Sequence, residues 1–434
     1  MGRKKGFSSA ILPLLVPLVL FIFCGKSLAQ YSTLNCTKYR RVSSLRLARI
    51  QKHLDKINKP PVFTIQSPDG DIIDCVHKRK QPALDHPLLK NHKIQRVPPE
   101  MPKMIKTDAV RERNNSSERL RGGIAWQMWH QKGQRCPKGT VPIRRSTVHD
   151  VLRAKSLHNF GKKQSKIPLA RRVDAPDFQT GNGHEHAIAY TKLSQEIYGA
   201  KATINVWNPS VEVVNEFSLC QIWVLSGSFD GTDLNSIEVG WQVSPELYGD
   251  SMPRLFTYWT SDAYQTTGCY NLLCSGFVQT NSRVVIGAAI NPVSLLNGNQ
   301  FDITVLIWKD PKLGNWWMGL GGNTLVGYWP TELFTHLADQ ATMVEWGGEV
   351  VNSRPNYEHT STQMGSGHFP EDGFGKASYV RNLEIVDSDN GLSSAQDIST
   401  MAENTNCYNI KSSYNNEWGT HFFYGGPGKS PKCP

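Results

Sequence analysis

Beyond Gly183 the chain runs in short stretches rich in Val, Ile, Tyr, Trp and Thr, separated by Gly, Asn, Asp and Pro. That texture predicts strands over 202–207, 217–225, 236–243, 254–259, 284–290, 301–308, 315–320, 343–351 and 378–386. With so many strands and hardly any helical periodicity, an all-β domain of two stacked antiparallel sheets or a barrel follows. The N-terminal half reads differently. Leu47, Ile50, Leu54 and Ile57 recur at helical spacing over 42–58 until Pro60 and Pro61 stop them, which predicts one amphipathic helix. From Val62 to about Lys106 the prolines at 68, 82, 87, 98, 99 and 102 break any regular element, so this stretch is expected to lie extended and dock on something larger rather than form its own core. The polar run over 106–121 is expected to be a mobile linker.

The first residues change the picture of where the chain works. Arg3, Lys4 and Lys5 precede an apolar run from Ile11 to Phe23, and Ser27-Leu28-Ala29 offers a cleavage site, so residues 1–29 read as a secretory signal. No later segment has the uninterrupted apolar length of a membrane span, and the exported chain is expected to be free of the membrane. Eight cysteines follow the signal, an even number that favours disulfides, and their spacing does not suit zinc. Sequons at Asn35, Asn114 and Asn115 fit glycosylation in the same compartment.

The net charge of +11 conceals two opposite halves: residues 30–176 carry +21 and residues 177–434 carry −14. The positive charge is scattered through Pro-rich sequence with no nucleic-acid motif, so the acidic half, and not nucleic acid, is its expected partner. The basic stretch ending at Lys162, Lys163, Lys166, Arg171 and Arg172 is expected to offer exposed sites to a processing protease.

Candidate chemistry comes down to carboxylates, because no nucleophile elbow, zinc-binding helix, phosphate loop or dinucleotide fingerprint is present. Over 236–243, alternation sets Ile237, Val239, Trp241 and Val243 on one strand face and Glu238, Gly240 and Gln242 on the other. Over 343–351 it sets Val344, Trp346 and Val350 opposite Glu345, Gly347 and Glu349. A glutamate beside a glycine leaves room for a substrate backbone. Two carboxylates facing each other can share a proton and act as acid and base on water, with no metal and no cofactor. Trp241, Trp316, Trp317, Tyr328, Trp329 and Trp346, with Gln242, are candidates for a substrate-binding wall, against a plain role in the sheet core. His184-Glu185-His186 is expected to send its two histidines to opposite faces and to hold no metal. His359 and His368 are candidates to line the cleft or to serve structure. Cys220 is expected to be a buried free thiol.

The segments Asp74-Cys-Val-His, Gln81-Pro-Ala-Leu-Asp-His-Pro-Leu-Leu-Lys-Asn-His, His184-Glu-His-Ala, Glu238-Val-Gly-Trp-Gln, Thr267-Gly-Cys-Tyr-Asn-Leu-Leu-Cys-Ser-Gly-Phe-Val-Gln, Trp346-Gly-Gly-Glu and His359-Thr-Ser-Thr-Gln-Met-Gly-Ser-Gly-His resemble the plant neprosin family over nearly everything after the signal. The resemblance implies a secreted glutamic endopeptidase cutting after proline at acidic pH. It implies a zymogen whose own pro-region (30–176) inhibits a β-sandwich catalytic domain (177–434), and a destination in the apoplast, cell wall or vacuole. It assigns the glutamate pair to Glu238 and Glu349, with Glu345 as the rival second member, and pairs Cys269 with Cys274 and Cys407 with Cys433. His77-Lys-Arg-Lys80 is more basic than the family pattern. Two other classes fit two carboxylates and many tryptophans: a glycoside hydrolase, and a non-catalytic extracellular binding protein.

Overall fold

The computed structural model describes residues 42–105, 123–130, 132–154, 156–163, 183–192, 195–228, 232–322, 324–354 and 358–434. The signal, the three sequons, Cys36, the linker and the basic residues Lys166, Arg171 and Arg172 lie outside them. The chain divides into Met1–His53 and Leu54–Pro434. In the first, the described residues begin helix α1 (Ser44–Ile57), close to the predicted span. The Ser43 hydroxyl accepts from the Arg46 amide, an N-cap that fixes its start.

The second unit opens with β1 (Pro61–Gln66) and β2 (Ile72–His77), an antiparallel hairpin turned at Gly70, whose φ of 92° suits a residue without a Cβ. Short 3-10 turns at Pro82 and Pro87 and an extended run follow, reaching β3 (Lys103–Met104). Next come β4 (Gly123–Ile124), β5 (Trp126–Gln127), β6 (Thr140–Arg144) and helix α2 (Val148–Arg153). Then β1, β2 and β6 form a three-stranded sheet, tied by the Cys75–Cys136 disulfide, with Ile65, Ile73 and Trp129 packed on Val285 and Ala288. This region therefore does build a small sheet and shares a core, where only docking was expected. The run after it docks as expected: the Gln81 amide bonds both the amide and the carbonyl of Gln279, and β3 lies parallel to a strand of the large sheet.

The remaining strands are β7 (His184–Tyr190), β8 (Gly199–Asn205), β9 (Ser218–Ser226), β10 (Asn235–Val243), β11 (Arg254–Thr260), β12 (Val278–Gln279), β13 (Ile290–Asn291) and β14 (Phe301–Lys309). They continue with β15 (Trp316–Leu320), β16 (Thr324–Trp329), β17 (Met343–Val351), β18 (Ser378–Val386), β19 (Gly391–Ser394), β20 (Ser399–Ala402), β21 (Asn409–Asn415) and β22 (Gly419–Gly425). Six of them form one antiparallel sheet in the order β11-β10-β9-β17-β7-β20. The other sheet is centred on β16-β15-β14-β8-β18. Side chains such as Ile222, Val239 and Val344 from the first sheet meet Ala202, Val305 and Met318 from the second, so the architecture is a β-sandwich. The expected strand over 284–290 does not form. Its backbone is engaged by the N-terminal region instead, with Gln127 bonded to Val285 and the Met128 amide to Ala289, and Gly287 turns it at φ 93°.

Candidate functional site

The outer face of the six-stranded sheet carries the acidic groups. In β10 the core-facing residues Ile237, Val239 and Trp241 alternate with Glu238, which is fully buried on the opposite face. One carboxylate oxygen of Glu238 accepts from the hydroxyls of Ser236 (2.9 Å) and Tyr264 (2.7 Å). The other accepts from the Lys163 ammonium at 2.5 Å. Tyr264 follows Ala263, and both have left-handed backbone, φ 63° and 53°. Two such non-glycine residues in succession are strained, and here the strain aims a hydroxyl at a carboxylate.

Glu349, on β17, is 3 % exposed and stands on the same face. Its carboxylate meets His184 Nδ1 at 2.5 Å, with His186 Nε2 at 3.9 Å. The far nitrogen of His186 meets the Glu403 carboxylate at 2.8 Å, and its backbone amide bonds the same carboxylate. The histidines thus share one face of β7, correcting the expectation that they diverge: residues two apart on a strand lie on the same side. Burial alone would raise the Glu349 carboxyl, but the Lys163 ammonium, the His184 bond and the nearby imidazoles hold it far below the usual carboxylate range. Pairing through β9 sets Glu345 level with Glu238, and Glu349 four residues further along, level with Gln242 and opposite His186. Among the described residues no hydrogen bond joins Glu238 to Glu349 while Lys163 occupies the site. The field of the Lys163 ammonium acts on both.

Lys163 is the unexpected member. Burial disfavours its charge, yet Glu238 and Glu349 overcome that and hold its pKa well above the ordinary lysine value. The ammonium also lies 5.3 Å and 5.1 Å from the ring centroids of Tyr258 and Tyr264. Its segment is pinned by backbone: the Tyr270 amide donates to the Gly161 carbonyl at 2.7 Å, and the Lys163 amide donates to the Tyr258 hydroxyl at 3.3 Å. Lys163 is therefore no exposed processing site. A cavity of about 300 Å³ continues beside it, lined by His184, Phe217, Leu247, Tyr270 and Val351.

The family model described as Neprosin matches residues 214–427, and that described as Neprosin activation peptide matches residues 64–190. The chain belongs to the neprosin family. An activation peptide ahead of a neprosin domain is the organisation of a peptidase zymogen, and Lys163 lies within the activation-peptide match. Similar solved structures include a scytalido-glutamic peptidase with a peptide-based transition-state analogue, at 12% identity and a TM-score of 0.31 over 57% of this chain and 98% of that one. Another is SCP-B, a member of the Eqolisin family of peptidases, in complex with a tripeptide, at 10% identity and 0.28 over 56% and 97%. So distant a likeness places no residue of this chain.

In this neprosin domain the expected aromatic wall is not at the glutamates. Trp241, Trp316, Trp329 and Trp346 are wholly buried in the core between the sheets, and the indoles of Trp241 and Trp316 donate to the carbonyls of Asn205 and Leu337. Trp317 and Tyr328 lie in a separate cluster with Trp308 and Ala83, and the Tyr328 hydroxyl bonds His92 and Gln95 of the activation peptide. Gln242 shares the face of Glu238, but its amide donates to the Tyr248 hydroxyl at 2.9 Å. The rings at the site include Tyr258, Tyr264 and Tyr270, with Trp223 against His186 and Phe217 against His184, none of which the sequence had singled out. Cys269–Cys274 and Cys407–Cys433 are bonded, and Cys220 is a free, buried thiol pushed up to about 12 by its surroundings. His359 bonds Glu185 at 2.8 Å and His368 bonds Asp372 at 2.8 Å, both apart from the glutamate pair.

The charge division also works differently from the bulk reading. Among the described residues, Lys163–Glu238 is an ion pair of the expected sense across the two regions, whereas Arg254 of the acidic half is held by Asp71 of the basic half at 2.6 Å, beside Asp250. Lys78, Arg153 and Lys162 reach across to backbone carbonyls of Thr280, Glu246 and Thr266 rather than to carboxylates.

Proposed function

We propose that this protein is a glutamic endopeptidase made as a zymogen, with Glu238 and Glu349 as its acid and base, cutting after proline at acidic pH. The observation that carries the reading is that one buried ammonium, supplied by the activation peptide, satisfies Glu238 directly and Glu349 through space. In the open enzyme a peptide takes the place of that ammonium. One carboxyl accepts a proton from water as the water adds to the scissile carbonyl, and the other gives a proton to the departing amine. Removing Lys163 removes a cation that keeps Glu349 ionised, so protonation of Glu349 becomes accessible in acid. The Tyr258 and Tyr264 rings that now receive the ammonium would receive a proline ring by apolar contact. Export to the apoplast, cell wall or vacuole fits three disulfides in the described residues.

The pH–rate profile of acid-matured protein on matched peptides with and without proline tests this. Expected is hydrolysis C-terminal to proline, confined to acid. Equal cleavage of the two peptides would remove the specificity, and a rate unchanged up to pH 8 would remove the carboxylate pair.

A further inference from the structure

Between the row of the six-stranded sheet that carries Glu238 and the row that carries Glu349 lies a third, Gly240–Gln221–Gly347, in which Gln221 on β9 pairs directly with a glycine on either side. Its neighbours Cys220 and Ile222 face the inter-sheet core, while Leu219 and Trp223 pack on the outer face. Alternation therefore stands the Gln221 side chain on the face of the two glutamates. No side chain can screen it from the adjacent strands. A Cβ at Gly240 would fall 1.9 Å from the Cys220 carbonyl oxygen, and one at Gly347, where φ is 150°, 2.3 Å from that of Ala187. Gln221 is fully buried, yet neither its Oε1 nor its Nε2 has a hydrogen-bond partner among the described residues. A buried primary amide left without partners is costly, and a fold retains one where a ligand completes it.

We infer that Gln221 is a further catalytic residue, whose Nε2–H donates to the scissile carbonyl oxygen as it becomes an oxyanion. The inference rests on the peptidase reading above. The oxygen of water bonds to the carbonyl carbon, the π pair moves onto the carbonyl oxygen, and the proton released from water goes to the ionised member of the Glu238/Glu349 pair. The oxyanion accepts from Gln221. When the C=O bond re-forms, the C–N bond breaks and the amine leaves with the proton of the other carboxyl, so the step balances with water alone. A donor fixed in advance on a rigid central strand, in a site closed to solvent, acts where the charge develops and needs no reorganisation.

The test uses the full chain matured in acid, comparing the parent with Q221L and Q221E. For Q221L the expected result is a kcat lower by about 10²- to 10³-fold with KM little changed, the usual effect of deleting one such donor. Its Tm should rise, because an unsatisfied amide has been replaced by an apolar group of similar size. In Q221E a protonated carboxyl still donates, so activity should persist at pH 3 and collapse at a lower pH than in the parent. An unchanged kcat in Q221L, or a loss seen only in KM, would overturn the assignment. A fall in Tm that parallels the fall in activity would instead make Gln221 a packing residue. A parent that cleaves no peptide removes the peptidase reading and this inference together, whereas an active parent with a fully active Q221L removes this inference alone.

Discussion

Replacing Lys163 with methionine keeps most of the side chain's bulk and deletes the ammonium. The pair it breaks belongs to the buried class: Nζ lies 2.5 Å from Glu238, with the two side chains 12% and 0% exposed. Removing one partner of such a pair strands the other charge, at about 3–5 kcal/mol. Since ~1.4 kcal/mol is a factor of ten, the open fraction of the uncut zymogen at pH 6 should rise by roughly two to three and a half orders of magnitude. The pH dependence has a definite sign. Of the groups that hold Glu349 below its ordinary pKa, His184 and His186 stay beside it in the open form and the Lys163 ammonium leaves, so the contribution of Glu349 to closure is complete above its open-form pKa and is lost as pH falls toward the lower closed-form value. Each pH unit in that window weakens closure by ~1.4 kcal/mol per such carboxylate, and K163M should therefore differ most from the parent at pH 5–6 and least near pH 3. The assay is hydrolysis of a quenched proline-containing peptide, with gels confirming that the chain is still intact. K162M is the control, because Lys162 donates to the Thr266 carbonyl and feels Asp262, not the glutamate pair. An intact K163M zymogen as silent at pH 6 as the parent would refute the reasoning.

Two further outcomes follow from the same contacts. Gly161 has φ 74°, and a Cβ there would lie 2.7 Å from the Leu273 Cβ, so G161A should loosen the Lys163 segment by roughly 1–3 kcal/mol; acid maturation timed by gel should be at least several-fold faster, and an unchanged rate would contradict this. Arg254, 1% exposed, is shared between Asp71 and Asp250, so D71N should lower zymogen stability by about 1–3 kcal/mol while leaving the matured domain, which has shed Asp71, unaffected; denaturant melts of both forms decide it.

Much of the framework was legible in the residues. The alternation in β10 and β17 put Glu238 and Glu349 on the faces they occupy, and the Leu47–Ile57 spacing found α1. The same alternation already turned Trp241 and Trp346 away from the glutamates, and their place in the core follows from it. Period two alone also decides that His184 and His186 share a face. Other features left no local trace. Lys163 sits among basic residues that look like a processing site, and only the tertiary fold brings it to Glu238. Ala263 and Tyr264 are not residues that announce left-handed backbone. The strand expected over 284–290 has suitable composition, but Gln127 and Met128, far away in sequence, claim its backbone groups. Bulk charge pointed to many lysine–carboxylate pairs, whereas desolvation makes each buried pair demanding, and most of the basic groups named above meet carbonyls.

The most direct measurement is the turnover of a proline-containing peptide at pH 3–5 by acid-matured E238Q and E349Q, prepared separately and matured in trans by the parent enzyme. Each glutamine preserves shape and one acceptor oxygen but cannot exchange a proton. Each variant should lose kcat by about 10³-fold or more, roughly 4 kcal/mol of transition-state stabilisation, while still binding the peptide. Turnover at the parental rate in either variant would contradict this.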